Sequence, residues 1–269
     1  MTTPESPLLL RTDDARGVTT LTLNRPTAFN SLSEALLTNL QNELDALAQS
    51  PTLRVLVLAA AGKAFCAGHD LREMRAEPSM AYYQKLFAQC GRMMMSLQKL
   101  QVPVIAKVQG IATAAGCQLV AQCDLAVASS EARFAVSGVN LGLFCSTPSV
   151  ALSRNVSRKA AFEMLATGDF LSAQEALAQG LINKIAAPDQ LDATLETMVE
   201  RILAKPQVAL AMGKELFYRQ LETGIENAYE VATQTMACNM MDASALEGCL
   251  LYTSPSPRDR TRSRMPSSA

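Results

Sequence analysis

Two loops of small residues are the part of the sequence best suited to bind a carbonyl oxygen. The first runs from Ala61 to Asp70 and the second from Gly110 to Gly116, and each lies between an apolar run and a helical pattern. Because alanine and glycine leave the backbone uncovered, amide groups there can approach a ligand closely, and a helix N-terminus adds partial positive charge. Two such loops predict a pair of N–H donors around one oxygen, an oxyanion hole. The same composition also suits tight packing of a helix on a strand.

Strand and helix patterns alternate on either side of these loops. The predicted strands span residues 18–24, 54–60, 104–108 and 125–128. Leucines spaced for one helical face predict a helix that begins near Ser33, and a second helix is predicted at 81–100. Strand, loop, helix and strand at this spacing predict right-handed crossovers and a mostly parallel sheet, so the fold class is α/β. From residue 160 onward the pattern is helical.

Several short motifs follow one another in a characteristic order. They comprise residues 23–26 with Asn30, 63–71, 102–110, 115–119, 123–125, and 167–169 with Ser172, Ala173, Gly180 and Leu181. In this combination the chain resembles the crotonase (enoyl-CoA hydratase/isomerase) superfamily over roughly residues 8–248, and within it the enoyl-CoA hydratase domain-containing type.

The resemblance implies a crotonase-like ββα spiral core with a helical C-terminal trimerisation region. The spiral core with the CoA-thioester site is expected at 1–190, and the C-terminal helical region at 191–248. Residues 249–269, rich in Ser, Pro and Arg, are expected to be a non-native, disordered tail. The assembly implied is a homotrimer, and such trimers often pair into hexamers.

The resemblance also implies the ligand, an acyl-CoA thioester whose carbonyl oxygen accepts hydrogen bonds from two backbone amides. By position these are the amides of Ala67 and Ala115, although the family usually has glycine at the second position. Coenzyme A is then part of the substrate, with no permanently bound cofactor. Arg25 and Lys63 either meet the CoA phosphates or are solvated charges. The other residues expected to contact substrate or CoA are Ala28, Phe29, Ala64, Gly68, His69, Asp70, Leu71, Gly116 and Gly142.

The sequence departs from the hydratase pattern at both catalytic acids. In the hydratases one glutamate follows the Gly-Cys pair and a second lies in a Pro-Glu segment. The matching positions here are Gln118 and Gly138. An amide can orient water but cannot accept its proton, and glycine has no side chain. Hydration by the two-glutamate mechanism is therefore not expected.

Three other side chains offer alternative chemistry. His69 is either an acid/base group or a solvated or hydrogen-bonded loop residue. Cys145 and Ser146 are nucleophiles or proton relays, or else packing residues, because no His or Lys is close in sequence to activate them. Three functions stay open: an enzyme with hydratase- or isomerase-type chemistry in fatty-acid or acyl-CoA metabolism, a catalytically weak CoA-ligand-binding or assembly subunit, and a thioester hydrolase.

Composition argues against several other classes of protein. The 24 basic and 25 acidic residues leave a net charge of −1, which favours neither nucleic acid nor an acidic membrane. The apolar runs are shorter than the ~20 residues that a membrane span needs. Seven cysteines without a CxxC pair and a single histidine predict reduced thiols and no metal site. With no targeting segment recognised, we expect a cytoplasmic protein.

Overall fold

The computed structural model describes residues 6–253. They belong to two compact units, one ending at Lys205 and the other beginning at Pro206. The division expected from the sequence instead placed residues from 191 onward in the C-terminal region. Of the expected tail, residues 249–253 continue a helix, and residues 254–269 lie outside the described part of the chain.

The first unit contains a sheet of six strands in the order β1-β2-β3-β5-β7-β10. Its strands are β1 (Leu9–Asp13), β2 (Val18–Leu23), β3 (Val55–Ala60), β5 (Val104–Val108), β7 (Leu125–Ser129) and β10 (Lys184–Ala186). Strand β1 is antiparallel to β2, and the other neighbours are parallel. The expected, mostly parallel sheet is therefore confirmed, and its central strands are buried on both faces, as their continuous apolar runs indicated.

A second sheet of four short strands positions the loops singled out above. Its strands, in the order β4-β6-β8-β9, are β4 (Ala64–Cys66), β6 (Ile111–Thr113), β8 (Arg133–Ala135) and β9 (Leu171–Ser172). The sequence pattern predicted residues 64–66 and 111–113 as loop, and this was wrong. Three residues are too few to show a period, so a strand of this length is decided by the neighbour it pairs with.

The two sheets are linked by a repeated unit of strand, strand and helix. A strand of the large sheet leads to a strand of the small sheet and then to a helix, as in β3-β4-α2, β5-β6-α4 and β7-β8-α5. The helices of the first compact unit are α1 (Glu34–Ala48), α2 (Leu71–Ala76), α3 (Met80–Lys99), α4 (Ala115–Gln122), α5 (Ser146–Asn155), α6 (Arg158–Thr167), α7 (Ala173–Ala178) and α8 (Leu191–Leu203). The ββα spiral core that the resemblance implied is confirmed.

The helices cover the large sheet with apolar faces. Leu36, Leu40, Leu44 and Leu47 of α1 are buried, as their spacing predicted, and the Ser33 side chain caps the helix by accepting the Leu36 N–H. On the other face of the sheet, Leu191 and Val199 of α8 pack in a cluster with Val57, Ile105 and Val127. This packing places α8 in the first unit.

The second unit consists, in its described part, of three helices: α9 (Gln207–Leu221), α10 (Ile225–Met240) and α11 (Ala243–Thr253). Its helical character agrees with the pattern, and the trimerisation role stays a prediction. Among the described residues of either unit, no helix combines the length and apolar character needed to cross a membrane.

Asn30 fastens the segment before α1 to the first small-residue loop. Its side chain is fully buried, accepts the Arg25 backbone N–H, and donates to the carbonyl groups of Ala61 and Ala64, all at 2.8 Å. Its φ of 54° lies in the left-handed region, which asparagine tolerates better than most residues. One side-chain amide thus links three backbone groups, one before α1 and two in the first small-residue loop.

We expect Asn30→Ala to lower the free energy of unfolding by about 3 kcal/mol, because it removes the hydrogen-bond partner of the Arg25 N–H and of the Ala61 carbonyl. The Ala64 carbonyl keeps its bond from Gln109. Urea unfolding monitored by circular dichroism measures this. Asn24→Ala is the matched control, since Asn24 donates a single hydrogen bond near solvent, to the Pro7 carbonyl, and its loss should change stability by less than about 1 kcal/mol. Equal effects of the two substitutions would contradict the role given to Asn30.

Candidate active site

A cavity of about 270 Å³ lies where the small sheet ends. Cys66 of β4 is paired with Ala112 of β6, and Thr113 of β6 with Ala135 of β8, so the segments that follow these strands leave the sheet side by side. The cavity brings together seven of the residues singled out from the sequence: Ala67, His69, Leu71, Ala115, Gly138, Cys145 and Ser146. The expected convergence of the two loops is therefore found.

Most of the other lining residues are apolar, and the sequence analysis did not find them. They include Met74 of α2, Phe87 of α3, and Leu141, Leu143 and Phe144, which lie before α5. Leu141, Leu143 and Phe144 are all substantially exposed. The sequence signal that could have found them is three large apolar residues in four positions, between a strand and a helix.

The Ala67 amide, which the resemblance assigned to the oxyanion hole, is already used. Its N–H donates to the Phe29 carbonyl oxygen at 3.0 Å. The next residues are extended beside Leu32, whose N–H donates to the Gly68 carbonyl and whose carbonyl accepts the Asp70 N–H. Backbone groups of successive extended residues point to opposite sides, so the His69 amide faces away from Leu32. The structure thus corrects the assignment: the free amide of this loop belongs to His69.

The second amide is that of Ala115, the first residue of α4. The first N–H groups of a helix have no acceptor within it, and within residues 6–253 neither the Ala115 nor the His69 amide donates to a backbone acceptor. The two loops also approach closely, because a Cβ placed on Gly68 would lie 3.3 Å from the Ala115 nitrogen. Gly68 has a φ of +95°, which favours glycine at this contact.

Ala114, which precedes this amide, has an unusual backbone conformation. Its φ of 50° and ψ of −121° lie in a region that glycine adopts readily and alanine rarely. Its amide donates to the Ala135 carbonyl of β8 at 3.0 Å, which holds the turn in place. Strained backbone of this kind is concentrated at functional sites, where the surrounding structure maintains it.

The two positions that the resemblance matches to the family's acids have different surroundings. Gln118 of α4 is only 5% exposed, its Oε1 has no hydrogen-bond partner among the described residues, and it is not part of the cavity lining. Gly138 does line the cavity. A Cβ placed there would lie 2.5 Å from the Leu143 carbonyl oxygen and 2.7 Å from Cys145 Sγ. Even a methyl group therefore has no room at this position.

Cys145 and Ser146 show no sign of activation as nucleophiles. Burial raises the pKa of the Cys145 thiol, and a hydrogen bond from the Gly138 backbone only partly offsets this. The Ser146 hydroxyl donates to the Phe144 carbonyl at 3.3 Å. Neither side chain is hydrogen-bonded to His69, whose ring nitrogens lack partners within the described chain. The thiol is therefore protonated at neutral pH and no base serves the hydroxyl.

The imidazole of His69 lines the cavity, and its nitrogens are shielded from solvent. Both ring nitrogens are buried, and neither has a partner of good geometry in residues 6–253. The ring packs edge-on against Phe87, with centroids 5.4 Å apart. Burial lowers the pKa of His69 to about 4, an effect that the nearby Leu32 backbone only partly offsets. The imidazole is consequently neutral at physiological pH.

Arg25 and Asp70 form an ion pair that anchors the first loop. The guanidinium Nη2 of Arg25 lies 2.9 Å from Asp70 Oδ2, and Nη1 donates to the Ser31 carbonyl. Asp70 also caps α2 by accepting the Arg72 N–H. Burial acts to raise the pKa of Asp70, but the bonds from Arg25 and the Arg72 amide outweigh it and lower the pKa. Both side chains thus hold the loop in shape.

The remaining residues expected to touch substrate or CoA are absent from the cavity lining. Lys63 and Phe29 are exposed, and Ala28 lies in a short 3₁₀ helix, Pro26–Ala28. The Ala64 carbonyl accepts hydrogen bonds from Asn30 and Gln109. Two glycines have conformational or steric roles: Gly142 (φ +77°) ends the 3₁₀ helix Ser137–Leu141, and a Cβ on Gly116 would meet the Cys66 carbonyl oxygen at 2.0 Å. Their contacts with CoA stay predictions.

Comparison with known proteins identifies relatives over most of the chain. A family model described as enoyl-CoA hydratase/isomerase matches residues 13–254. The rat enoyl-CoA hydratase domain-containing protein 3 is 43% identical over 246 residues, which cover 91% of this chain and 82% of the rat protein. A crystal structure of an enoyl-CoA hydratase from Mycobacterium smegmatis is 65% identical with a TM-score of 0.91, and covers 92% of this chain and 96% of its own.

The structure of the human protein of the same name is also similar to that of this chain. The crystal structure of human enoyl coenzyme A hydratase domain-containing protein 3 has a TM-score of 0.87 at 39% identity, and the match covers 97% of this chain and all of the human one. The rat and human proteins are both named as mitochondrial. The expected cytoplasmic location is contradicted by these names and was wrong.

Sequence, fold and relatives therefore agree. The ordered motifs, the ββα spiral and a family model that matches 13–254 cover the same part of the chain. This chain belongs to the enoyl-CoA hydratase/isomerase, or crotonase, family.

Proposed function

We propose that the chain binds an acyl-CoA thioester in the apolar cavity, with the thioester oxygen accepting hydrogen bonds from the backbone amides of His69 and Ala115. The observation that carries this proposal is that both amides border the cavity and have no acceptor in the described structure. The Ala115 amide is also at the N-terminus of α4, where the helix dipole favours negative charge. The names of the relatives point to the same class of ligand.

Such a pair of donors would activate the carbons next to the carbonyl. When charge moves onto the thioester oxygen, as in an enolate, fixed donors stabilise it without reorganising, and a single donor of this kind is worth about 3 kcal/mol. The chemistry favoured is therefore of the hydratase or isomerase type, at the α and β carbons of an acyl-CoA. The CoA part is substrate in this account, and the expected trimer or hexamer stays part of the proposal.

Hydration through two carboxylates finds no support in the site. The lining residues within the described chain include no Asp or Glu, and the space at Gly138 is filled by Leu143 and Cys145. This observation favours a second candidate function, a catalytically weak CoA-ligand-binding or assembly subunit. It gives no support to hydrolysis through Cys145 or Ser146, because neither side chain is activated.

Removing the carbonyl oxygen from the ligand tests the proposed contact without altering the protein. We expect crotonyl-CoA to bind at least about tenfold more tightly than its thioether analogue, S-crotyl-CoA, which leaves two amides without an acceptor. Isothermal titration calorimetry measures both affinities. Equal affinities would contradict the role of the amides, whereas no binding of either compound would refute the proposed function as a whole.

The two candidate functions differ in turnover. We expect crotonyl-CoA to bind without measurable hydration, because each missing acid or base group removes about 10²–10⁴-fold in rate. Loss of the ultraviolet absorbance of the enoyl thioester measures hydration, and Gln118→Ala is the control, expected to hydrate no faster. Fast hydration by the unaltered protein would contradict this expectation, whether or not it persists in Gln118→Ala. Exchange of the ligand's γ-protons in D₂O would favour the isomerase-type enzyme, and its absence the binding subunit.

A further inference from the structure

The His69 side chain carries hydrogen-bonding capacity that the protein leaves unused. Both ring nitrogens are buried without partners in the described structure, beside a cavity. Burying a polar group without a partner is unfavourable, and native proteins rarely do so without a reason. Two serine hydroxyls of the lining are, by contrast, paired: Ser137 with the Thr113 hydroxyl at 2.8 Å, and Ser146 with the Phe144 carbonyl.

Aromatic packing supports the ring on one side. Its edge-on contact with Phe87 continues into a stack of Phe87 on Tyr83, with centroids 6.3 Å apart. The Tyr83 hydroxyl donates to the Met74 carbonyl at 3.0 Å, which ties α3 to α2. The imidazole therefore has a fixed apolar support beside the cavity.

The position of the ring limits which part of a ligand it can reach. The His69 amide is the proposed donor to the thioester oxygen, and the imidazole is only a few bonds away from this amide. A group hydrogen-bonded to the imidazole must then lie within a few bonds of the thioester carbonyl. A neutral imidazole offers one N–H donor and one acceptor, which a hydroxyl matches fully and a ketone in part.

We propose that His69 is a specificity-determining residue that selects acyl groups with an uncharged hydrogen-bonding substituent close to the thioester carbonyl. This inference rests on the proposed function and deepens it. Plain acyl groups are disfavoured because they leave the buried nitrogens unpaired, the effect by which enzymes reject analogues that lack a hydroxyl. Acyl groups with a carboxylate there are disfavoured as well, because no Lys or Arg is found among the described lining residues.

Matched ligands test the preference by isothermal titration calorimetry. We expect 3-hydroxybutyryl-CoA to bind at least about tenfold more tightly than butyryl-CoA, and acetoacetyl-CoA more tightly than malonyl-CoA, which has a carboxylate oxygen in place of the terminal methyl group. Equal affinity within the first pair, or tighter binding of malonyl-CoA, would overturn the proposal. If no thioester binds, the proposed function itself fails, which is a distinct result.

A substitution assigns the preference to the side chain. His69→Phe keeps an aromatic ring against Phe87 and the backbone amide, so we expect butyryl-CoA still to bind and the preference for 3-hydroxybutyryl-CoA to disappear. His69→Gln, which can donate and accept, should retain part of it. A preference undiminished in His69→Phe would overturn the proposal.

A measurement on the unaltered protein covers the case in which His69→Phe does not fold. His69 is the only histidine in the sequence, so protein labelled with ¹⁵N-histidine and purified without a histidine tag gives one set of imidazole signals. We expect 3-hydroxybutyryl-CoA to shift the ring nitrogen resonances and butyryl-CoA to leave them nearly unchanged. The same response to both ligands would count against direct recognition.

Discussion

The site depends on the close approach of two backbone segments at the end of the small sheet. Parallel pairing of β4 with β6 brings Gly68 against Ala114 and Ala115, so near that a Cβ on Gly68 would lie 2.9 Å from the Ala114 side chain. Nothing bulkier than glycine fits there. The unusual backbone of Ala114 and the buried Asn30 serve the same contact, since they fix the loops from which the free amides project.

Two backbone amides without an acceptor border the cavity, and no carboxylate lines it among the described residues. At Gly138, which the resemblance matches to one family acid, Cys145 Sγ and the Leu143 carbonyl occupy the space that a side chain would need. At Gln118 an uncharged amide is buried at the equivalent helix position. What remains titratable in the described cavity lining is His69 and the Cys145 thiol, and burial favours the neutral form of both.

Predictions from the sequence were correct for long strands and helices with a clear hydrophobic pattern. They failed for short segments whose conformation depends on the strand they pair with. Strands β2, β3, β5 and β7 of the large sheet and the leucine face of α1 followed from the sequence pattern, whereas β1 and β10 were not predicted. The pair of small-residue loops led to the site. Strands β4 and β6 were missed because three residues show no period. The resemblance assigned the donor to Ala67 by position, and sequence alone could not test this. Which amide of an extended segment is free depends on the segment beside it, here at Leu32, which lies far away in sequence.

The state of His69 also could not be read from sequence. A histidine in a loop of small residues is as compatible with solvent as with a cavity, and only the packing against Phe87 of α3 shows that its nitrogens are buried. The most direct test of the account is a crystal structure with bound acetoacetyl-CoA. We predict the thioester oxygen at about 2.7–3.1 Å from the backbone nitrogens of both His69 and Ala115. A thioester oxygen bound elsewhere, or by only one of these amides, would contradict it.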